Sequence, residues 1–238
     1  MCDTCGCGQG DVIPVEIREN LLAENDRAAA HNREHFHRHG VVSVNLMGSP
    51  GSGKTALLEA TARAGGQRVL AGVSADLSTD RDAERLQRVG IQSRSITTGS
   101  ACHLDARLVH QALHGVELDG VDYFFIENVG NLVCPAIFDL GQTVSVVALA
   151  VTEGEDKPVK YPVMFQHVDL VVLTKLDLLP HLSGVSVDGY LQSLRQVAPS
   201  VPLIGVSAFT GDGMDDWLAW LEARRSSGVE VVASADPR

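Results

Sequence analysis

The chain has few aromatic residues, an excess of acidic over basic side chains, and no long apolar run. Of its 238 residues 5% are aromatic, and 30 acidic residues outnumber 19 basic ones, for a formal net charge of −11. A nucleic-acid-binding surface requires clustered lysine and arginine, so that class of protein is disfavoured. No apolar stretch approaches the 18 or so residues of a membrane span, and the polar N-terminus lacks a signal-peptide core. We therefore expect neither a membrane anchor nor a nucleic-acid partner.

Cysteine is also scarce, with five residues, an odd number that does not fit a complete set of disulfides. Together with the phosphate-binding motif described below, this favours a cytoplasmic protein whose thiols bind metal. Cys2, Cys5 and Cys7 lie within six residues and are interspersed with glycine. Such a backbone can fold three thiolates around one ion such as Ni²⁺, Zn²⁺ or copper. A disordered tail or a redox Cys-x-x-Cys pair is the alternative.

The strongest motif in the chain is Gly48-Ser49-Pro50-Gly51-Ser52-Gly53-Lys54-Thr55, which fits the P-loop pattern G-x-x-x-x-G-K-[ST]. An apolar run precedes it and a good helix-forming segment follows, as the motif requires. We predict that Lys54 reaches the β- and γ-phosphates of a nucleoside triphosphate and that the Thr55 hydroxyl binds Mg²⁺. The residues predicted to surround the nucleotide phosphates with their backbone N–H groups are Gly48, Ser49, Gly51, Ser52, Gly53, Lys54, Thr55 and Ala56.

Apolar segments alternate with helical patterns between residues 41 and 225. Short continuous apolar strands separated by helices predict an α/β fold, a mostly parallel sheet with helices on both faces. The predicted strands are 41–47, 69–73, 93–97, 121–126, 144–151, 168–174 and 202–207, and the predicted helices are 54–64, 82–89, 104–113, 188–197 and 213–225. We divide the chain into a flexible cysteine-rich tail (1–14), an N-terminal helix (15–40), a nucleotide-hydrolysing domain (41–225) and a loose C-terminal tail (226–238).

The N-terminal helix carries histidines at i, i+4 and i+8, namely His31, His35 and His39, with His37 nearby. This spacing places three imidazoles on one face of a helix, where they can hold a metal. A solvated polar face is the alternative and the favoured interpretation.

Acidic residues follow two further predicted strands, and ligands of such sheets bind at the carboxyl ends of the strands. Asp76 is placed to meet Mg²⁺ or to orient an attacking water, although an Asp capping a turn is the alternative. Glu127 is followed by x-x-Gly130, an arrangement in which the acid binds Mg²⁺ and the glycine N–H contacts the γ-phosphate. The predicted catalytic residues are Lys54, Asp76 and Glu127, and the predicted Mg²⁺ residues are Thr55, Asp76 and Glu127.

The segment Thr174-Lys175-Leu176-Asp177 determines the expected base. A carboxylate at Asp177 can accept hydrogen bonds from N1–H and the 2-amino group of guanine, a pair that adenine does not offer. The Lys175 stem can lie along the ring, and Ser207-Ala208, after the last predicted strand, fits a loop that reaches the guanine O6. Thr174 departs from the Asn-Lys-x-Asp form common in GTPases. The set nevertheless favours GTP over ATP.

A second group of possible metal ligands consists of Cys102, His103 and Cys134, which we name the Cys–His–Cys set. Cys134 follows Glu127 by seven residues. Three such ligands would leave one position open for water, for transfer or for a second chain. Free cysteine is among the most buried residue types, so two simply buried thiols are an equal alternative on spacing alone.

Five segments together resemble the HypB family, the nickel-incorporation GTPases of [NiFe]-hydrogenase maturation: Cys2–Cys7, Gly48–Thr55, Cys102–Asp105, Ile126–Ala136 and Val151–Pro158. The resemblance covers essentially residues 2–225. It implies a SIMIBI-type G domain that hydrolyses GTP slowly with Mg²⁺ and forms a nucleotide- or metal-dependent homodimer. It also implies that the chain delivers Ni²⁺ to the hydrogenase large subunit together with a HypA-type chaperone. It strengthens the metal interpretation of the Cys–His–Cys set, where Zn²⁺ is a second possible ion.

Two other functions are compatible with the same residues. One is a non-catalytic metal-binding or storage protein in which the nucleotide acts only as an assembly switch. The other is a urease-type accessory GTPase, a family that carries Cys-Pro-His as one motif. Here Cys134-Pro135 is followed by Ala136, and the histidine lies beside Cys102.

Overall fold

The computed structural model describes residues 15–76, 80–99 and 103–233. The predicted tail ligands Cys2, Cys5 and Cys7 lie outside this range, as does Cys102. The remaining predicted site residues fall within it.

The described part of the chain forms one seven-stranded sheet in the order β3-β2-β4-β1-β5-β6-β7. Every strand pairing is parallel, which confirms the predicted sheet. The strands are β1 (Val42–Met47), β2 (Leu70–Asp76), β3 (Gln92–Thr97), β4 (Tyr123–Glu127), β5 (Val144–Ala150), β6 (Leu170–Thr174) and β7 (Leu203–Gly205). The helices are α1 (Val15–Arg38), α2 (Lys54–Ala64), α3 (Arg81–Arg88), α4 (Ala106–Leu113), α5 (Lys157–Lys160), α6 (Pro162–Gln166), α7 (Val187–Val197) and α8 (Met214–Ala233).

Helices cover both faces of the sheet. Since successive residues of a strand point to opposite sides, each central strand contributes side chains to a core on either face. In β5, Val146 and Ala148 pack in a core with α2, α3 and α8. Val147 and Leu149, between and after them, pack in a second core with α6 and α7. A third core joins β2 and β4 to α1 and α4. Burial on both faces explains why these strands are continuous apolar runs.

The element boundaries differ from the predicted ones at several places. Helix α8 continues to Ala233, past the predicted end at residue 225. Gly228 lies inside this helix, and a glycine there costs only about 1 kcal/mol, which a helix of this length tolerates. Strand β2 extends to Asp76, and the short helices α5 and α6 were not predicted. Among the described residues, no helix combines the length and apolar character needed to cross a bilayer.

Two buried asparagines attach α1 to the domain. The Asn25 amide donates to the Asp139 carbonyl (2.8 Å), and its oxygen accepts from the Ala106 N–H (2.9 Å). The Asn32 amide donates to the carbonyls of Ala106 (2.8 Å) and Leu140 (3.1 Å). Each such bond contributes about 1 kcal/mol net. Helix α1 therefore holds the start of α4 next to residues 139–140.

Candidate nucleotide and metal site

The P-loop connects β1 to α2 and borders a cleft of about 390 Å³ at the carboxyl ends of β2 and β4. This is the edge at which ligands of parallel sheets bind. The cleft is lined by Pro50, Gly51, Gly53, Lys54, Thr55, Ala56, Ala75, Asp76, Asp82, Arg85, Glu127, Asn128, Val129 and Gly130. The sequence predictions for Lys54, Thr55, Asp76, Glu127 and Gly130 thus converge on one cavity.

Lys54 is buried at the base of this cleft. Its ammonium donates to the carbonyls of Gly48 (3.2 Å) and Ser49 (3.1 Å), within its own loop. Burial lowers the pKa of Lys54, while the carboxylates of Glu127, Asp82 and Glu153 act in the opposite direction. A phosphate oxygen is a stronger acceptor for this ammonium than a backbone carbonyl.

Two carboxylates meet at the Thr55 hydroxyl. Its Oγ1 lies 2.6 Å from Glu127 Oε1 and 3.1 Å from Asp82 Oδ1, and Ser74 Oγ donates to Glu127 Oε2 (3.0 Å). Burial raises the pKa of Glu127; the Thr55 hydrogen bond opposes this and the Asp82 charge adds to it. Hard oxygen donors of this kind fit the ligand preference of Mg²⁺. The geometry thus groups predicted Thr55 and Glu127 with a residue that the sequence did not indicate, Asp82.

Arg85 holds Asp82 in this position. Its guanidinium forms a two-point ion pair with Glu59, at 2.9 Å for each bond, and lies 3.3 Å from Asp82 Oδ1. Asp82 and Arg85 sit in the first turns of α3, just after the carboxyl end of β2. An acidic residue soon after the carboxyl end of a strand is the sequence signal for such a role, but the prediction included only Asp76 at this strand.

The segment that begins with Glu127 lies directly on the P-loop. The Asn131 N–H donates to the Gly48 carbonyl (3.0 Å), at the end of β1. A β-carbon added at Gly130 would lie 2.8 Å from the backbone nitrogen of Pro50, a distance that real side chains do not adopt. Glycine at this position therefore permits a backbone contact between the two segments.

Among the residues predicted to read the base, a side-chain hydrogen bond joins Asp177 to Ser207, and Lys175 bonds to the P-loop. Asp177 Oδ1 accepts from the Ser207 hydroxyl (2.6 Å), next to half-buried Ala208. Lys175 adopts a left-handed backbone (φ 61°) and its ammonium donates to the Gly51 carbonyl (2.6 Å).

Thr174 bonds to the P-loop. Its hydroxyl donates to the Ser52 carbonyl (2.6 Å), and the residue is buried. The threonine that stands here in place of asparagine thus contacts the P-loop through its hydroxyl.

Two members of the Cys–His–Cys set are buried within the described structure. The His103 ring stacks on Phe138 with centroids 4.0 Å apart and planes 16° apart. Burial lowers the pKa of His103, and the nearby Asp105 acts in the opposite direction. Cys134 is also buried and begins a single 3₁₀ turn, Cys134–Ala136. Because Cys102 lies outside the described residues, the set as a whole stays a prediction.

Asn128 connects the loop of His103 to the segment of Glu127. Its buried Oδ1 accepts from the backbone N–H of Leu104 (3.3 Å) and of Val129 (2.9 Å), and its Nδ2 donates to Asn45 (3.2 Å). Asparagine is common in loops, so the sequence contained no signal for this role.

The histidines of α1 are not grouped as their helical spacing suggested. His35 contacts His39, with ring centroids 5.0 Å apart, whereas His31 contacts His110 of α4 at 4.6 Å. Within residues 15–76, 80–99 and 103–233, no three His, Cys, Asp or Glu side chains are already gathered as a metal site.

Comparisons of the sequence and of the structure with known proteins agree on one family. The family model for the CobW/HypB/UreG nucleotide-binding domain matches residues 42–204. The hydrogenase maturation factor HypB of Azotobacter chroococcum is 48% identical over 224 residues, which are 93% of this chain and 72% of that protein. A crystal structure of HypB from Helicobacter pylori in complex with nickel is 36% identical with a TM-score of 0.82, covering 86% of this chain and 96% of that one. HypB from Archaeoglobus fulgidus is 38% identical with a TM-score of 0.78, covering 86% and 100%.

Proposed function

The chain belongs to the HypB hydrogenase maturation factors of the CobW/HypB/UreG family, and on that premise we propose that it is a GTP-hydrolysing nickel metallochaperone for [NiFe] hydrogenase. The observation that carries the proposal is the meeting of Thr55, Glu127 and Asp82 at the base of the P-loop cleft. Two carboxylates and a hydroxyl beside a buried lysine form a site for a magnesium-bound triphosphate, not merely for a metal.

In this proposal the chain's own residues position GTP for attack by water. The P-loop backbone surrounds the phosphates, and the Lys54 ammonium exchanges its carbonyl acceptors for the β- and γ-phosphate oxygens. Thr55 and Glu127 would hold Mg²⁺, with Asp82 beside them, and the ion would neutralise charge that develops on the transferred phosphate. Asp76, at the end of β2, orients the attacking water. Asp177 binds the guanine, and the backbone of Ser207 and Ala208 reaches its O6.

Nickel is the cargo, and the Cys–His–Cys set is its proposed site next to the nucleotide. Loss of the γ-phosphate removes its contacts with Glu127 and Gly130 and releases a segment that continues to Cys134. The hydrogen bond from Leu104 to Asn128 provides a second connection, because it attaches the loop of His103 to the same segment. Hydrolysis would therefore change the relative positions of the metal ligands.

Two exposed apolar side chains lie within three residues of Cys134. Val133 is 51% exposed and Ile137 is 45% exposed. Single exposed apolar side chains are common on protein surfaces, so the reason to propose a contact here is their position beside a predicted metal ligand. We propose that this surface meets a second copy in a nucleotide- or metal-dependent homodimer. The HypA-type nickel chaperone and the hydrogenase large subunit are the proposed further partners.

GTP turnover tests this function against a non-catalytic metal-binding protein. We expect the purified chain to release phosphate from GTP in the presence of Mg²⁺, and Lys54→Ala to abolish release by removing the phosphate-binding cation. Lys160→Ala is the matched control, because Lys160 lies on the surface and pairs with Asp156. Equal turnover by wild type and Lys54→Ala would contradict the proposal.

A further inference from the structure

Histidines from two helices meet on the side of the domain where α1 packs against α4. His31 and His110 are in edge-to-face contact, with ring centroids 4.6 Å apart, and His110 and His114 are in similar contact at 4.7 Å. These residues belong neither to the nucleotide cleft nor to the Cys–His–Cys set.

The His110–His114 pair already has the spacing of two ligands on one ion. His110 lies on α4 and His114 is the residue that caps its C-terminus, still in helical conformation, so the two side chains, four residues apart, lie on the same face. Their Nε2 atoms lie 3.2 Å apart. Two imidazole nitrogens bound at 2.0–2.1 Å to a tetrahedral ion are separated by about 3.3 Å. An ion can therefore bind both rings with little displacement of either.

Asn32 fixes the His110 tautomer that a metal requires. The buried amide of Asn32 donates to two backbone carbonyls, so its oxygen is the atom that faces His110 Nδ1, at 3.2 Å. An amide oxygen only accepts, so Nδ1 carries the proton and the lone pair of the neutral ring is on Nε2. Histidine ligands of metals are oriented in the same way by a hydrogen bond from the other ring nitrogen.

We propose that His110 and His114 form a binding site for a borderline divalent cation such as Ni²⁺, Zn²⁺ or Cu²⁺, with His31 as the third ligand. Imidazole suits these ions, whereas Mg²⁺ and Ca²⁺ prefer oxygen. Two nitrogens are in place, and the exposed His31 side chain completes the set by rotating toward the ion from its contact with His110. A bound ion would join α1 to α4. This proposal does not depend on the proposed nickel delivery or on GTP hydrolysis.

The test uses the full chain and imidazole NMR during titration with Zn²⁺. After the cysteine sites are filled, the ring signals of His110 and His114 should shift together, whereas those of exposed His37 should not. In equilibrium dialysis, His114→Ala should remove one metal equivalent or weaken one site at least about tenfold, the scale at which even outer partners of metal ligands act. His37→Ala is the matched control and should change neither quantity.

Two results would refute the proposed His110–His114 site. Unchanged ring signals of His110 and His114 at saturating Zn²⁺ would overturn it, and so would equal metal content in wild type and His114→Ala. His114 is exposed and follows the last residue of α4, so its replacement leaves the core intact. Circular dichroism checks the fold of each variant, and the NMR titration of the unmodified chain gives an answer even if a variant fails to fold.

Discussion

One substitution at the predicted base-recognition site, Asp177→Asn, should change the preferred nucleotide from GTP to xanthosine triphosphate instead of only weakening GTP binding. Asp177 Oδ1 accepts a short hydrogen bond from the Ser207 hydroxyl (2.6 Å). In Asp177→Asn the amide oxygen keeps this bond, which turns the amide nitrogen toward the base. Guanine presents N1–H and a 2-amino group, both donors, so the new N–H₂ meets a donor. Xanthine has a carbonyl in place of the 2-amino group and can accept from it.

The magnitude follows from one lost hydrogen bond with a partner left unsatisfied. Such a loss costs about 1–3 kcal/mol. At 1.36 kcal/mol for each factor of ten, kcat/KM for GTP should fall roughly 5- to 150-fold, and kcat/KM for xanthosine triphosphate should rise on a similar scale. The assay is steady-state phosphate release with each nucleotide. The effect should fall mainly on KM, because the base lies away from the reacting phosphate.

A neighbouring carboxylate provides the control. Asp212 is exposed on the loop that follows Ser207 and accepts from the Thr210 hydroxyl (2.7 Å). Asp212→Asn makes the same chemical change in the same loop region without facing the predicted base site, so it should alter neither kcat/KM. If Asp177→Asn lost activity equally with GTP and xanthosine triphosphate, Asp177 would not be reading the base.

Three further predictions concern coupling, the tail and stability. Asn128→Ala should narrow the difference in metal affinity at the Cys–His–Cys set between GDP and a non-hydrolysable GTP analogue, measured without the N-terminal cysteines, where the parent should differ about 5- to 150-fold; a difference as large as in the parent would contradict the role of Asn128. Deleting residues 1–10 should remove one Ni²⁺ equivalent in dialysis and leave GTP turnover nearly intact, and an unchanged metal count would exclude the tail site. Trp217→Phe removes the indole bond to Thr61 (2.9 Å) and should lower the free energy of unfolding in urea by about 1–3 kcal/mol. The control Trp220→Phe should cost less, because the Trp220 indole N–H has no hydrogen-bond partner in the described structure, and equal losses would refute the reasoning.

The sequence predicted what depends on local pattern and on sheet topology. Helix α2 begins and ends where predicted, because the P-loop places its start at Lys54. Thr55 and Glu127 were expected together because the carboxyl ends of parallel strands meet at one edge, and β1 and β4 are indeed neighbours.

What the sequence did not predict depends on contacts between residues far apart in the chain. Asp82 matters because Arg85 and Glu59 hold it beside Thr55, an arrangement that requires α2 and α3 to be packed together. Asn32 and Asn128 are ordinary polar residues in sequence, and their roles arise from backbone groups that tertiary structure brings to them. The histidines of α1 could be grouped only by helical spacing, which cannot show that the nearest partner of His31 is on α4.

One segment carries a residue of the proposed nucleotide site and a residue of the proposed cargo site, and this has a thermodynamic consequence. Glu127 ends a buried central strand, and only six residues separate it from Cys134. Four of the six line the nucleotide cleft or pair with the P-loop. Any shift of Gly130 against Pro50 must be absorbed within the few residues that remain before Cys134. If nucleotide hydrolysis alters the metal ligands through this short connection, linkage requires bound metal to alter nucleotide affinity by the same factor. A metal-loaded chain would then favour one nucleotide state before any partner binds. Metal and nucleotide would each change the affinity of the chain for the other.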